Sequence, residues 1–254
     1  MPRSLMPSSK EGGYTVCVSS QVGCPVSCPF CATGQQGFER NLGTSEIVDQ
    51  VLFFARYLGE KGQITNVVFM GMGEPLANYD NLLAAVERLN APWGFGLGAR
   101  SMTISTAGMV PGIEKLAREK LQVGLAVSLH AANDILRNRL VPLNNKYPLA
   151  KLMAAARRYV ELSGRRISFE YCLFEGVNDS LMQARELGHL LKGINAHVNL
   201  IAANESCAGY RAPSRPVIME FEAELTRLGI NATLRRSYGR EINAACGQLK
   251  SQLS

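Results

Sequence analysis

The chain has 254 residues, of which 46% are apolar, so it can bury a sizeable core and its composition excludes a disordered chain. No apolar run approaches the roughly 18 residues that a membrane-spanning helix needs, and the start, "MPRSLMPSSKEGG", lacks the apolar middle of a signal peptide. We therefore expect a cytoplasmic protein with no membrane partner. The formal charge of +6, with arginine pairs such as Arg165-Arg166, fits either a polyanionic partner or a solvated basic surface.

Short β-branched segments alternate with longer amphipathic segments along the chain. Seven of the short segments predict strands: "YTVCVSS", "TNVVFMG", "SMTISTAG", "VGLAVSLHA", "RISFEYCLF", "HVNLIAAN" and "NATLRRS". The amphipathic segments predict helices, such as "SEIVDQVLFFARYL", and "NYDNLLAAVERL" with Asn78 as its N-cap. This alternation predicts an α/β fold with a parallel sheet and helical crossovers.

Polar residues follow several predicted strands at the point where each strand ends. They are Gly71–Pro75 ("GMGEP") after the second strand, Ser105 after the third, Ser128 and His130 after the fourth, and Asn204 after the sixth. The C-terminal ends of the strands of an α/β barrel face one common cavity. This pattern favours a partial barrel over an open doubly wound sheet, which the alternation also allows. No low-complexity linker divides the chain, so we expect one domain over residues 1–254.

Three cysteines, Cys24, Cys28 and Cys31, stand together in C-x3-C-x2-C spacing. In a reducing compartment, clustered cysteines are more often metal ligands or catalysts than a disulfide framework. A structural zinc site has four ligands, and a 4Fe-4S cluster normally takes one cysteine per iron. Three thiolates would leave one iron of a cluster open to a substrate, which is typical of a catalytic site. The spacing alone leaves zinc and a cluster both open.

The cysteine spacing, with Phe30 just before the last cysteine, resembles that of the radical S-adenosylmethionine superfamily. The resemblance implies a partial (β/α)6 TIM-like barrel in which the three-cysteine loop follows the first strand. It also implies that the three cysteines hold a 4Fe-4S cluster. In this superfamily a segment like "GMGEP" receives the methionyl amino group of S-adenosylmethionine, here through the backbone at Gly73 and the negative charge of Glu74.

Longer sequence blocks make the resemblance more specific. The blocks "CVSSQVGC", "NVVFMGMGEPL", "LAVSLHAAND", "GVNDS" and "INAACGQL" are similar to radical S-adenosylmethionine RNA methyltransferases that methylate carbon 2 of adenine. The likeness runs from about Ser4 to Leu249. It implies an adenine of 23S ribosomal RNA (rRNA) as substrate and, in some members, an adenine of transfer RNA (tRNA). Methylation at carbon 8 of the same ribosomal adenine is an alternative, because the enzymes that perform it share both outer cysteines, Cys17 and Cys246.

The resemblance assigns catalytic roles to these two outer cysteines. Carbon 2 of adenine is electrophilic, and the family uses two molecules of S-adenosylmethionine per turnover. Cys246 takes a methyl group from the first by displacement, and a 5′-deoxyadenosyl radical from the second activates that methyl group for addition to the ring. Cys17 then attacks the sulfur of Cys246 and releases the product through a transient disulfide. The family also implies a flavodoxin-like or ferredoxin-like electron donor, and we expect a monomer.

The same resemblance places seven residues around S-adenosylmethionine: Gly73, Glu74, Ser105, Ser128, Leu129, His130 and Asn204. The alternative is that the serines cap strand ends and that the histidine is a hydrogen-bonded core residue. We expect the family's N-terminal accessory domain to be absent, and Met1-Pro2-Arg3 occupy the place of its proposed base glutamate. A truncated, catalytically impaired homologue is therefore an alternative, as is a zinc-stabilised RNA-binding module. A radical enzyme without methylation, such as an activase, would not need the two outer cysteines.

Overall fold

The computed structural model describes residues 4–8, 11–204 and 209–235. Cys246 and the segment Met1-Pro2-Arg3 lie outside the described residues. The described strands are β1 (Leu5–Pro7), β2 (Gly13–Cys17), β3 (Gln21–Gly23), β4 (Phe38–Asn41), β5 (Gln63–Phe69), β6 (Met102–Thr106), β7 (Gly124–Ser128), β8 (Ile167–Leu173), β9 (Ala196–Ala202) and β10 (Ala232–Arg235).

Eight of these strands form one sheet in the order β1-β2-β5-β6-β7-β8-β9-β10. The edge strand β1 pairs antiparallel with β2, and every later pair in this sheet is parallel. Strands β3 and β4 form a separate antiparallel pair. The seven parallel strands are joined by six crossovers, which confirms the predicted partial (β/α)6 barrel. The sequence did not predict β1, β3 and β4, because runs of three or four residues carry almost no periodicity.

The residues that the structure describes form eight helices, and the longer ones pack against one side of the sheet. The eight helices are α1 (Ala32–Gln35), α2 (Thr44–Leu58), α3 (Tyr79–Asn90), α4 (Val110–Leu116), α5 (Asp134–Leu140), α6 (Leu149–Ser163), α7 (Leu181–Leu191) and α8 (Arg215–Arg227). The helix α7 has a capping box in which the Ser180 side chain accepts from the backbone N–H of Gln183. The helix α6 ends at Gly164, which adopts the left-handed conformation. In the described segments, none of the helices combines the length and the apolar character that crossing a bilayer requires.

The two faces of the sheet differ in chemistry because side chains alternate along a strand. The outer face is buried against the helices in the main hydrophobic core and carries residues such as Val67, Ile104, Val127, Phe169 and Leu200. The inner face carries the alternate positions, which include Ser105, Ser128, Glu170, Cys172 and Asn199. A closed barrel fills its interior with apolar layers. Here the concave face carries polar side chains among apolar ones, so it offers hydrogen-bonding groups to a ligand.

Asn78 occupies the N-cap position of α3, as the sequence predicted, but its side chain makes no capping hydrogen bond. Its buried side-chain amide instead donates to the backbone oxygens of Ser20 at 2.8 Å and of Leu42 at 2.7 Å. These two carbonyls flank the β3–β4 hairpin, so Asn78 fastens the hairpin to the start of α3. The amide of Asn78 points toward these two carbonyl groups because buried carbonyl oxygens require hydrogen-bond donors.

Candidate active site

The three clustered cysteines lie on the loop between β3 and α1, and the backbone holds this loop in one conformation. Gly23 has φ +74°, and a Cβ atom there would lie 1.9 Å from the carbonyl oxygen of Gly37. The backbone N–H of Cys24 donates to that same oxygen at 2.9 Å, and the N–H of Cys31 donates to the oxygen of Cys28 at 3.1 Å. Only glycine fits at position 23, so the close approach of the two backbone segments depends on it.

The environment of the cysteines disfavours thiolates unless a cation is present. Burial raises the pKa of Cys24 to about 12, and the neighbouring Glu74 adds to this effect. Burial raises the pKa of Cys28 still further, with a contribution from the like charge of Cys31. Metal ligation requires deprotonated sulfur. The thiols of Cys24 and Cys28 therefore suit a cationic group that supplies the missing positive charge.

The arrangement of the thiols also bears on which group they fit. A single zinc ion needs all its ligands about 2.3 Å from one point. Within residues 4–8, 11–204 and 209–235, no three Cys, His, Asp or Glu side chains converge in that way. A 4Fe-4S cluster attaches each cysteine to a different iron, so its ligands stand further apart. All three cysteines border the same cavity, so one group bound there could contact all three.

Glu74, in the loop after β5, is buried and already hydrogen-bonded. Its carboxylate accepts from the backbone N–H of Ala107 at 2.7 Å and from that of Leu76 at 3.1 Å. Burial raises the pKa of Glu74 to about 6, although these hydrogen bonds act in the opposite direction. The carboxylate is mostly ionised at neutral pH, and it ties the loop to the end of β6. It therefore has a structural role beside the predicted cofactor contact.

Packing requires a glycine at position 73, whether or not a ligand binds there. Its φ is +105°, and a Cβ atom would lie 2.6 Å from Cβ of Gln21. The side chain of Gln21 also accepts from the backbone N–H of Glu74 at 2.8 Å. The loop after β5 thus lies directly against the strand that leads into the cysteine loop. The two predicted binding segments are positioned by each other.

His130 follows β7 in the left-handed conformation, with φ +59°. Its Nδ1 accepts from the backbone N–H of Cys172 at 3.0 Å, and its ring contacts the ring of Phe30 edge-on at 5.0 Å between centroids. Burial, together with the charge of Arg137, lowers the pKa of His130 to about 3. The imidazole is therefore neutral, and because Nδ1 is an acceptor, Nε2 carries the proton. His130 can donate one hydrogen bond and does not serve as a cation at neutral pH.

One cleft at the C-terminal ends of the strands joins most of the predicted site. Its volume is about 180 Å³. Eight predicted residues line it: Cys24, Cys28, Cys31, Gly73, Glu74, Ser105, Ser128 and His130. Residues from four separate segments thus meet in one place, as a barrel requires.

Three described residues of the predicted site do not line the cleft. The side chain of Leu129 is buried in the main core, and its backbone N–H and oxygen already bond to Glu170 and Arg137. Asn204 is buried at the end of β9. Cys17 ends β2, where it pairs with Val68 on the inner face of the sheet. The position of Cys17 on that face is compatible with a role in the cleft, although its partner in the prediction lies outside the described residues.

The sequence did not single out Arg137, which is fully buried on α5. Its guanidinium donates to the oxygens of Ala107 at 2.7 Å, Ser128 at 3.1 Å and Leu129 at 3.1 Å, and to Oδ1 of Asn144 at 2.8 Å. Burial lowers its pKa to about 10, so it stays charged at neutral pH. Arg137 joins the ends of β6 and β7 beneath the cleft. The block "LAVSLHAAND.LR..L.P.N" contains it, but nothing in the spacing marks an arginine as buried.

Glu170 is a second residue that sequence reasoning missed. It is buried on the inner face of β8, where it lines the cleft and accepts from Nδ2 of Asn199 at 2.7 Å. Its other oxygen, Oε2, has no hydrogen-bond partner among the described residues and lies 3.8 Å from Arg235. Burial raises the pKa of Glu170. Glu170 therefore presents an acceptor to the cleft that a bound hydroxyl or amine could use.

Comparisons with known proteins agree with this geometry. The model of the Radical SAM superfamily matches residues 18–187. The chain is 50% identical over 249 residues to "Ribosomal RNA large subunit methyltransferase N" of Nitrosopumilus maritimus, which covers 96% of this chain and 71% of that protein. It is 53% identical over 239 residues to "Probable dual-specificity RNA methyltransferase RlmN" of Desulforudis audaxviator, covering 94% of this chain and 74% of that protein.

A solved structure is similar to this chain over nearly its whole length. The crystal structure of a radical SAM methyltransferase from Sphaerobacter thermophilus superimposes with a TM-score of 0.93 at 52% identity. The match covers 96% of this chain and 72% of the other. The chain spans between 59% and 74% of the length of the curated relatives it matches.

Proposed function

The chain belongs to the radical SAM superfamily and, within it, to the RNA methyltransferases named RlmN, and from that membership we propose that it methylates carbon 2 of an adenine in 23S rRNA. An adenine in tRNA is the second substrate we propose, because one group of relatives is named for dual specificity. A flavodoxin-like or ferredoxin-like protein is the proposed electron donor.

The observation that carries this proposal is the single cleft that three cysteines share with Gly73, Glu74, Ser105, Ser128 and His130. Cys24, Cys28 and Cys31 would hold a 4Fe-4S cluster, while the fourth cysteine that lines the cleft, Cys172, stands on β8, outside the cysteine loop. The bound cluster and S-adenosylmethionine supply the radical chemistry that an electrophilic ring carbon requires. The protein supplies the binding, the orientation and the electrostatics.

The residues of the cleft suit the two ends of S-adenosylmethionine. The ionised carboxylate of Glu74 offers a counter-charge to the methionyl ammonium group, next to the cysteine loop. Neutral His130 donates through Nε2, and Ser105 and Ser128 add hydroxyl groups from neighbouring strands. Most of the surface that lines the cleft is apolar, which limits the access of water to a reactive species. Leu129 and Asn204 contribute by shaping the backbone beside these residues.

Two thiols outside the cysteine loop complete the proposal. Cys246 would hold the methyl group as a methyl-cysteine intermediate, since a thiolate is a good acceptor for a sulfonium methyl group. Cys17, on the inner face of β2, would attack the sulfur of Cys246 and release the methylated RNA. The resulting disulfide would have to be reduced before the next turnover. No general base is proposed for the carbon-2 proton.

Trapping RNA on the protein tests these roles directly. Cys17→Ala protein, reconstituted with iron and sulfide and given S-adenosylmethionine, reductant and RNA, should retain RNA covalently on Cys246, which a denaturing gel detects. Cys246→Ala should trap no RNA and transfer no methyl group. Cys207→Ala, a cysteine with no assigned role, is the matched control and should turn over normally. If Cys17→Ala turns over like this control, the resolving role is wrong.

A further inference from the structure

A second cavity lies at the opposite ends of the strands from the cleft. It has a volume of about 450 Å³ and is formed at the N-terminal ends of β6, β7 and β8. Its lining is mostly polar and consists of Arg100, Thr103, Gln122, Gly124, Leu125, Gly164, Arg165, Arg166 and Ser168. We refer to this cavity as the arginine pocket. None of its residues belongs to the proposed catalytic machinery.

The arginine pocket concentrates positive charge, and no carboxylate of the described residues lines it. Three arginines line it, and no aspartate or glutamate does. Elsewhere in the described part of the chain, four arginines pair with glutamates: Arg40, Arg185, Arg227 and Arg235. Within the same described segments, none of the three pocket arginines forms such a pair. The pocket is distinguished by three guanidinium groups that line one cavity with no carboxylate in its lining.

The local contacts leave hydrogen-bond donors available in the arginine pocket. Arg165 donates through Nη1 to the oxygen of Gln122, while its buried Nε finds no acceptor among the described residues. A buried donor without an acceptor costs free energy that a bound anion would recover. Nearby, burial and then the positive charge of Arg166 lower the pKa of His197, as expected where positive potential is uncompensated.

We propose that the arginine pocket binds a backbone phosphate group of the RNA substrate, at a distance from the nucleotide that enters the cleft. This inference rests on the proposed RNA methyltransferase function. Guanidinium groups bind phosphate oxygens through paired, charge-assisted hydrogen bonds, and three of them face one cavity here. The polar lining and the absence of a carboxylate in it disfavour an apolar or a cationic ligand.

The position of the arginine pocket fits an RNA that spans both sites. Strand β8 carries Ser168 in the arginine pocket and Cys172 in the cleft. Four residues of a strand cover about 13 Å, which is less than the roughly 34 Å of one turn of a nucleic-acid helix. Phosphates a few nucleotides from the target adenine can therefore reach the arginine pocket. Their contacts would orient the RNA without reading its sequence.

The test compares two double variants of the whole chain in their affinity for a fluorescently labelled RNA stem-loop with an adenine in its loop. Arg100→Gln/Arg166→Gln removes two charges from the arginine pocket and keeps Arg165, which holds Gln122. Arg56→Gln/Lys151→Gln removes two exposed charges from the outer helices and is the matched control. Fluorescence anisotropy at several KCl concentrations gives the slope of log affinity against log salt.

The pocket variant should lower the magnitude of this slope by about 0.7 to 0.9, the contribution of one phosphate contact, and weaken binding roughly tenfold at low salt. The control should keep the wild-type slope. A pocket variant that keeps the wild-type slope overturns the inference. This holds even if calorimetry shows that the arginine pocket binds inorganic phosphate, because the RNA phosphate then does not occupy it. Methylation of the RNA by wild-type protein, measured in parallel, shows whether the proposed function itself holds.

Discussion

Arg137 offers a test of how the cleft is built, because it fastens two strand ends from a fully buried position. Arg137→Met keeps most of the aliphatic volume but removes four hydrogen bonds, to Ala107, Ser128, Leu129 and Asn144. At about 1 kcal/mol for each lost hydrogen bond, the loss is about 4 kcal/mol. Removing a buried charge returns part of its desolvation cost, so we expect a net destabilisation of about 3 kcal/mol.

Urea unfolding of the cluster-free protein, followed by circular dichroism, measures this loss as a lower midpoint at an unchanged slope. The corresponding drop in Tm is about 6 to 12 °C for a chain of this size. Arg139 is exposed on the same helix, so Arg139→Met is the matched control and should change the stability by less than about 0.5 kcal/mol. Equal midpoints for the two variants would refute the structural role of Arg137. Arg137→Lys should recover less than half of the loss, because an ammonium cannot reach all four acceptors.

Gly73→Ala and Gly96→Ala both place a Cβ atom at positive φ, but only the Cβ at position 73 would clash with Gln21. Urea unfolding should therefore show that Gly73→Ala lowers the free energy of unfolding by about 2 kcal/mol more than Gly96→Ala does. Equal losses for the two variants would mean that Gln21 moves aside without an energetic cost. The buried Glu74 has a folded pKa of about 6, above its ordinary value of 4.5. Its folded state therefore binds the proton more readily, and the stability of the cluster-free protein should fall as pH rises from about 4.5 through 6. Relative to Glu74→Gln, the fall should be about 2 kcal/mol. A difference between the two proteins that stays constant with pH would contradict this assignment.

Much of the fold follows from local patterns in the sequence. The seven parallel strands alternate between residues that face the helices and residues that face the cleft, so apolar and polar positions mark both strands and sheet faces. Ser105, Ser128 and His130 come to one cavity because parallel strands end at the same edge, a rule that needs no knowledge of contacts. The likeness to a known family then supplied roles for these positions, which spacing alone would not have given.

Features that depend on contacts between distant segments were missed or wrong. Asn78 has the sequence position of an N-cap, but its amide binds carbonyls 58 and 36 residues away. Arg137 stands in an ordinary amphipathic helix, and its burial depends on where the ends of β6 and β7 leave unpaired carbonyl groups. Gly73 was predicted to admit a ligand, while the structure adds its contact with Gln21. Such features emerge only when the three-dimensional arrangement is known.

The proposed function is tested most directly by the nucleoside that the protein makes. Anaerobically reconstituted protein would be given protein-free 23S rRNA, reductant and S-adenosylmethionine with a deuterated methyl group, and the digested RNA would be analysed by mass spectrometry against synthetic standards. We predict 2-methyladenosine whose methyl group contains deuterium. Methylation at carbon 8, or unmodified adenosine from protein that binds a cluster and cleaves its cofactor, would contradict the proposal.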